Sequence, residues 1–464
     1  MREIFGLSEN QTTVWREIVA GLTTFSTMAY IVVLSPSLLS QTGMDFAAVA
    51  VATCIAAAIG CLLSGLLANY PFAQAPGVGL SAFFVYTVVL QAGYAWQGAL
   101  AIIFISGLIF ILLTATGARA AILNAIPPGV RHAIPAGIGL FIALIGLNNA
   151  GVVDINQGPI IDILYANEGA ATGDLVSRVL AAPPQILQFG NFSDPTIFLT
   201  IMGLFLMLFL TQWGVGGAIL VGIAVVTVIS LVFGFTPMPD TVVASSFDLS
   251  PTFMQLDFAA IWGPGAFGFG AVFDVLFIIL AFTMVDLLDT VGTLYGTADK
   301  GGFLDEKGNL PRVNRALMAD AVATTAGALL GTSTTTTYIE SGSGIAAGGK
   351  TGLTAVVVAF LFLLSILLTP LVAIIPVSAT SAALVMVGVL MIGSVRKIDF
   401  GELDVAAPAF MVIVLMPFTY SIANGIGVGI ITHVLIKIAK GDARSLHPVA
   451  VVIAALFVAR YAVL

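Results

Sequence analysis

The chain has 464 residues, of which 59% are hydrophobic and 9% charged, with a formal net charge of −8 and a mean hydropathy of +1.09. Folded soluble domains carry about 25% charged residues, so a chain this poor in charge has no water-compatible surface at this size. A cytosolic enzyme, a disulfide scaffold and a disordered regulator are excluded. With no basic run in the sequence, so is a nucleic-acid-binding arm.

Apolar runs of about 15–25 residues, without the alternation of barrel strands, predict an all-α polytopic membrane protein. In the first half the expected spans lie near 17–39, 47–68, 77–90, 97–116, 129–149, 196–212 and 215–234. In the second half they lie near 268–295, 316–331, 338–348, 352–375, 379–395, 406–421 and 424–440. A last apolar stretch, 448–464, either spans the bilayer or lies in its interface. The first segment is full length, so no cleavable signal is expected. Cys54 and Cys61 fall on one helix about 10 Å apart along its axis, so they pack rather than bridge.

Lysine and arginine set the sidedness. Arg2 and Arg16 precede the first span, which places the N-terminus in the cytoplasm. Fourteen crossings then put Arg119, Arg131, Lys300, Lys307, Arg312, Arg315, Lys350, Arg396, Lys397, Lys437, Lys440 and Arg444 on the same side. The exceptions among the 16 basic residues are Arg178, in the long outer connection 150–195, and Arg460. A miscounted span would scramble this asymmetry.

Two spans are unlike ordinary membrane helices. The third is short, follows Pro71 and Pro76, and opens Gly77-Val78-Gly79-Leu80-Ser81. The tenth opens with Thr334 to Thr337, carries Glu340 and runs into Gly342-Ser343-Gly344. Each is third in its set of seven. Interrupted segments at matching positions of two halves mark the binding site of an inverted-repeat transporter, although Gly and Pro also kink ordinary packed helices.

Ionisable residues inside lipid are costly and usually functional. The eighth span holds Asp286 and Asp289, three residues apart on neighbouring parts of one face, and the tenth holds Glu340. Asp286 reads equally as a structural acid. Asp274 and Asp320, near the ends of their spans, are expected to reach water and to be structural. His132, His433 and His447 have no partner at metal-ligand spacing, so no metal site is expected. Gly344 to Thr351 fits the nucleotide-loop pattern G-x-x-x-x-G-K-[ST], but no α/β domain surrounds it, and the match reads as accidental.

Three stretches resemble the AzgA-like purine permeases, the hypoxanthine/guanine and adenine branch of the nucleobase–ascorbate transporter superfamily. They are Ala75 to Phe84, Asp286 to Leu294, and Gly331 to Ser341. Gly348 to Ala355 is similar to that branch too, with Lys350 where it usually has Arg. Ser81 departs from the family, which generally has Asn there. The resemblance runs from about Thr12 to Lys440. It implies fourteen segments in two inverted repeats of seven, with the third and tenth segments beginning as short β-strands. It implies a core from about 17–116 and 268–375, a gate from about 129–234 and 379–440, and a tail or extra helix over 441–464. By position, Asp289 matches the binding carboxylate and Glu340 the acidic or amide residue of segment 10. Ser81 and Phe83 match positions lining the base, and Phe84, Thr337 and Ser341 lie beside them in the same motifs. A homodimer through the gates is a further implication.

The chemistry fits independently of the family. A purine presents adjacent N–H donors, which one carboxylate accepts together, and its ring faces suit Phe83 or Phe84. A neutral base carries no charge to drive uptake, so its concentration needs a coupled ion. A carboxylate in a low-dielectric cavity can exchange a proton near neutral pH, so Asp289 or Glu340, with Asp286 beside them, is the expected carrier. No cofactor is expected beyond the proton gradient. The sequence thus predicts a proton-coupled purine importer of the cytoplasmic membrane, working by movement of core against gate. Hypoxanthine and guanine are favoured, because Asp286 to Thr290 is more similar to that subgroup. An anion transporter on the same fold is the alternative, but it would want a base near the broken helices, where only Lys350 is close. A membrane enzyme or receptor lacks a nucleophile–base pair or a soluble signalling domain.

Overall fold

The structure is a computed structural model that describes residues 3–117, 126–155, 187–238, 241–244, 247–264, 268–306 and 309–463. Helices dominate because a backbone in lipid must satisfy its own polar groups. In chain order they are α1 (Val14–Met28), α2 (Ile31–Leu39), α3 (Phe46–Leu63), α4 (Val78–Ala82), α5 (Trp96–Thr116), α6 (Pro128–Asn149), α7 (Pro195–Gln212) and α8 (Ala218–Val232). There follow α9 (Phe269–Gly301), α10 (Val313–Leu330), α11 (Ser341–Ala346), α12 (Gly352–Ser365), α13 (Thr369–Ala373), α14 (Val377–Met391), α15 (Leu403–Phe418), α16 (Ile422–Ala439) and α17 (Pro448–Val463). Four short strands also occur among the described residues: β1 (Gln74–Pro76), β2 (Val153–Ile155), β3 (Leu187–Phe189) and β4 (Thr335–Thr337).

Among the described residues, nine helices are long and apolar enough to cross a membrane, and four more apolar helices are shorter. The chain is a multi-pass membrane protein. Helix α10 falls outside both groups because Arg315 and Asp320 interrupt its Ala, Thr and Gly residues. The first expected span is not one continuous helix: α1 ends at Met28 and α2 restarts at Ile31. The hydroxyls of Thr23, Ser26 and Thr27 bond back to carbonyls three or four residues upstream, which bends a helix. Most of the 150–195 connection, with Arg178, lies outside the described residues. Helix α17 runs beside α9 so that Arg460 meets Asp274 at 3.6 Å and stacks on the Phe277 ring at 4.2 Å.

The closest helix packing falls into two sets. One joins α1, α2, α3, α5, α9, α10, α11 and α12; the other joins α6, α7, α8, α14, α15 and α16. Gly residues set the approach within each. A Cβ on Gly352 would lie 1.9 Å from the Gly65 carbonyl oxygen, so α12 crosses the end of the α3 segment backbone to backbone.

The nucleotide-like loop has a structural explanation. Glu17, fully buried in the first turn of α1, places its carboxylate against the start of α12. Its Oε1 accepts from Lys350 N (3.0 Å) and the Thr12 hydroxyl (2.8 Å), and its Oε2 accepts from Thr351 N (3.2 Å) and the Thr354 hydroxyl (2.6 Å). Amides at a helix start attract an anion, and here the anion is the protein's own side chain. Glu17→Ala is therefore expected to cost on the order of 3 kcal/mol by stranding these donors. Glu17→Gln recovers only part, since its NH2 faces two donors in either orientation. Thermal melting of the detergent-purified variants measures both.

Candidate functional site

Strands β1 and β4 meet antiparallel in the middle of the bundle, pairing Gln74 with Thr337, Ala75 with Thr336 and Pro76 with Thr335. The ladder is extended by Gly77 N to Thr334 O and Tyr338 N to Ala73 O, each 3.0 Å. Carbonyls that the two strands cannot satisfy for each other find side chains. Gln74 O accepts from the Cys61 thiol (3.2 Å), Thr335 O from Thr324 (2.9 Å) and Pro76 O from the Tyr338 hydroxyl (2.6 Å). Thr337 accepts from the Gln74 amide at 3.3 Å, and the Ser341 hydroxyl accepts from Ala73 N at 3.0 Å. Both residues therefore hold the crossing together. The Ser81 hydroxyl is taken by Ser333 at 2.6 Å.

Around this crossing the acids gather. Asp289 on α9, partly buried, lies 3.4 Å from the Thr336 hydroxyl. Thr336 lies 3.0 Å from Thr290, whose hydroxyl donates to Asp320 at 2.8 Å and is 3.4 Å from Asp286. Asp286 and Asp320 are both fully buried. This corrects the expectation that Asp320 reaches water: α10 turns it inward, to Thr290. Glu340, just beyond β4, accepts at 2.6 Å from the hydroxyl of Tyr30, which sits at the break between α1 and α2. The rings of Tyr30 and Tyr338 are 6.5 Å apart.

One side of this assembly is open. The face of α9 that carries Asp289 continues through Gly292 and Gly296 to Lys300, and a Cβ at either glycine would meet nothing within 4 Å. Across it, Ile339 is 53% exposed although it stands between the buried Tyr338 and Ser341. The Lys300 ammonium lies 4.0 Å from where a Cβ on Gly342 would be. The base near the broken helix is thus Lys300, whereas Lys350 contributes its backbone amide to Glu17. Phe83 and Phe84 are fully buried, Phe83 edge-on to Phe282 at 4.7 Å.

Sequence reasoning passed over Tyr30, Thr290, Thr336, Tyr338 and Lys300. Thr290, Thr336 and Tyr338 lie inside the recognised motifs, and hydroxyls beside intramembrane acids are a usable signal. Nothing local marks Tyr30 or Lys300.

Comparison with known proteins places these features. The model of the Permease family (Xan_ur_permease) matches residues 16–179 and 170–428. A putative permease of Methanocaldococcus jannaschii, MJ0326, is 44% identical over 461 residues, covering 99% of this chain and 98% of that protein. The guanine/hypoxanthine permease PbuG of Bacillus subtilis is 38% identical over 458 residues, covering 97% of this chain and 96% of its own length. The adenine permease AdeP of Escherichia coli is also 38% identical over 458 residues, covering 99% and 95%. Among solved structures, the transmembrane domain of the cyanobacterial bicarbonate transporter BicA shares the fold at a TM-score of 0.59 and 18% identity, over 88% of this chain and 97% of that one.

Gly344 brings α11 against α1, because a Cβ there would stand 2.0 Å from the Thr24 hydroxyl oxygen and 2.6 Å from the Ala20 carbonyl oxygen. Gly344→Ala is expected to force the two apart at a cost of about 1–3 kcal/mol. A lowered melting midpoint with normal membrane insertion is the expected reading.

Proposed function

We propose that this chain, which belongs to the permease family, imports purine nucleobases across the cytoplasmic membrane in symport with protons. The observation that carries this reading is the pair of carboxylates, Asp289 and Glu340, beside a strand crossing with an open face. Each carboxylate offers acceptors for adjacent purine N–H donors. Full-length similarity to relatives named as guanine/hypoxanthine and adenine permeases supports the cargo, with hypoxanthine and guanine favoured.

Coupling follows from the hydroxyl chain. Thr336 and Thr290 each carry one hydroxyl proton, so while Thr336 donates to Asp289 and Thr290 to Asp320, the contact between the two threonines lacks a proton; a proton added to Asp289 turns the Thr336 hydroxyl toward Thr290 and completes the chain. Proton occupancy and cargo geometry at Asp289 are then linked. Fourteen segments in two inverted repeats, the N-terminus inside, place the open α9 face toward the cytoplasm. Transport is the sliding of the α1–α5 and α9–α13 core past the α6–α8 and α14–α16 gate. At the opposite end, polar links among the described residues join the two: Tyr86 to Asn149 (3.3 Å), Thr87 to Tyr420 O (3.0 Å) and Gln91 to Thr419 O (3.2 Å). Lys300 favours a second reading, an anionic cargo, but two carboxylates beside the same space oppose it.

In proteoliposomes, labelled hypoxanthine or guanine is expected to accumulate with an inward proton gradient and to stop with a protonophore. Adenine, xanthine, uracil and bicarbonate arms define the range, and uptake of no purine overturns the reading. Asp289→Asn and Glu340→Gln, each inserted normally, should raise KM about ten- to a hundredfold by weakening a charge-assisted bond. Gly292→Phe should leave binding intact and cut the maximal rate about tenfold or more by obstructing the passage.

A further inference from the structure

We infer that Tyr30 is a positioning residue for cargo recognition: its hydroxyl fixes one oxygen of Glu340 so that the other is aimed at the purine edge. The inference rests on the reading of Glu340 as a cargo acceptor and assigns its selectivity to a residue 310 positions away in sequence. Tyr30 is 2% exposed, and its ring is held among the residues of the main apolar core. Its hydroxyl meets Glu340 Oε1 at 2.6 Å, within the range of a charge-assisted O–H···O bond. Glu340 precedes the six-residue helix Ser341–Ala346 and is partly buried, next to Ile339, which is 53% exposed. Without the Tyr30 bond this carboxylate loses the partner that fixes its rotamer, and an acceptor that swings cannot distinguish where the N–H donors of a flat ring lie.

The break between α1 and α2 is what brings the hydroxyl to this depth. Residues Ala29 and Tyr30 interrupt the helix at the level of the crossing, and Val33 N and Leu34 N then bond to Tyr30 O at 3.0 and 2.9 Å. On the neighbouring ring, the Tyr338 hydroxyl is committed to Pro76 O at 2.6 Å. The two tyrosines therefore divide the work: Tyr338 ties the strands, and Tyr30 orients the carboxylate.

The test compares the wild type, Tyr30→Phe and Tyr30→Ala in proteoliposomes, with hypoxanthine and its N1-, N7- and N9-methyl derivatives as competitors. Each methyl group removes or displaces one edge contact. Tyr30→Phe keeps the ring and loses only the hydroxyl. It is expected to raise KM for hypoxanthine about tenfold with the maximal rate nearly unchanged. The discrimination against whichever methyl derivative the wild type rejects most should fall by a similar factor, because the donor that derivative lacks is no longer read. A ring that merely fills space predicts Tyr30→Phe like the wild type and a defect only in Tyr30→Ala. Wild-type discrimination retained in Tyr30→Phe, or an equal KM increase for every competitor, overturns this inference alone. Absence of purine uptake by the wild type overturns the reading beneath it.

Discussion

A β-strand inside a bilayer is an exposed row of donors and acceptors with no water to meet them, and each unpaired group costs several kcal/mol. The pairing of Gln74–Pro76 with Thr335–Thr337 is the constraint from which the rest of the centre follows. Two strands alone satisfy only one edge of each. The outer edges are closed by Cys61 from α3, Thr324 from α10 and Tyr338 from β4's own continuation. Small residues allow these elements to come close enough. A Cβ on Gly60 would already stand 2.9 Å from the Gln74 side chain. The threonine-rich stretch from Thr332 to Thr337 is fully buried, its small side chains fit between helices, and the hydroxyls of Ser333, Thr336 and Thr337 bond the side chains of Ser81, Thr290 and Gln74.

Paired strands so short leave their ends in an unusual position. The chain enters and leaves the crossing inside the protein, so residues just past β4 can project a carboxylate where an unbroken helix would present a wall. Glu340 occupies that place. Asp289 reaches the same region from α9, and Thr290 and Thr336 join it to Asp286 and Asp320.

Much of this was legible in the residues. Hydropathy marked the nine long apolar helices and the four shorter ones among the described residues, and Pro71, Pro76 and Gly77 in one half and Thr334 to Gly344 in the other marked the two broken segments. The acids stood out because lipid makes them expensive. What escaped was set by contacts across long separations. Tyr30 in an apolar run resembles any interfacial aromatic until Glu340 is seen against it. Asp320 lies near the end of the expected span 316–331, where exposure is the natural expectation, but α10 starts at Val313, so Asp320 is well inside the helix, and the packing of α10 on α3 and α5 buries it. Glu17 was hidden for the opposite reason. A glutamate in a first helical turn is ordinary, and its burial arises from a loop more than 300 residues further on. That loop's resemblance to a phosphate cradle has a physical basis, since its amides do bind an anion, but the anion is built in.

The strand pair also governs the order in which the molecule can be made. Gln74 and Thr337 are 263 residues apart, so at about 5–20 residues per second the first strand emerges roughly 13–50 s before its partner exists. For that interval its edge has no β-partner, and the α3 thiol of Cys61 and nearby water or translocon surface are what it has. The strand crossing and the carboxylates around it are thus assembled only when the second half folds back onto the first. A chain truncated just before β4 keeps α1 to α10, with Tyr30 and Asp289, but has neither the strand pair nor Glu340.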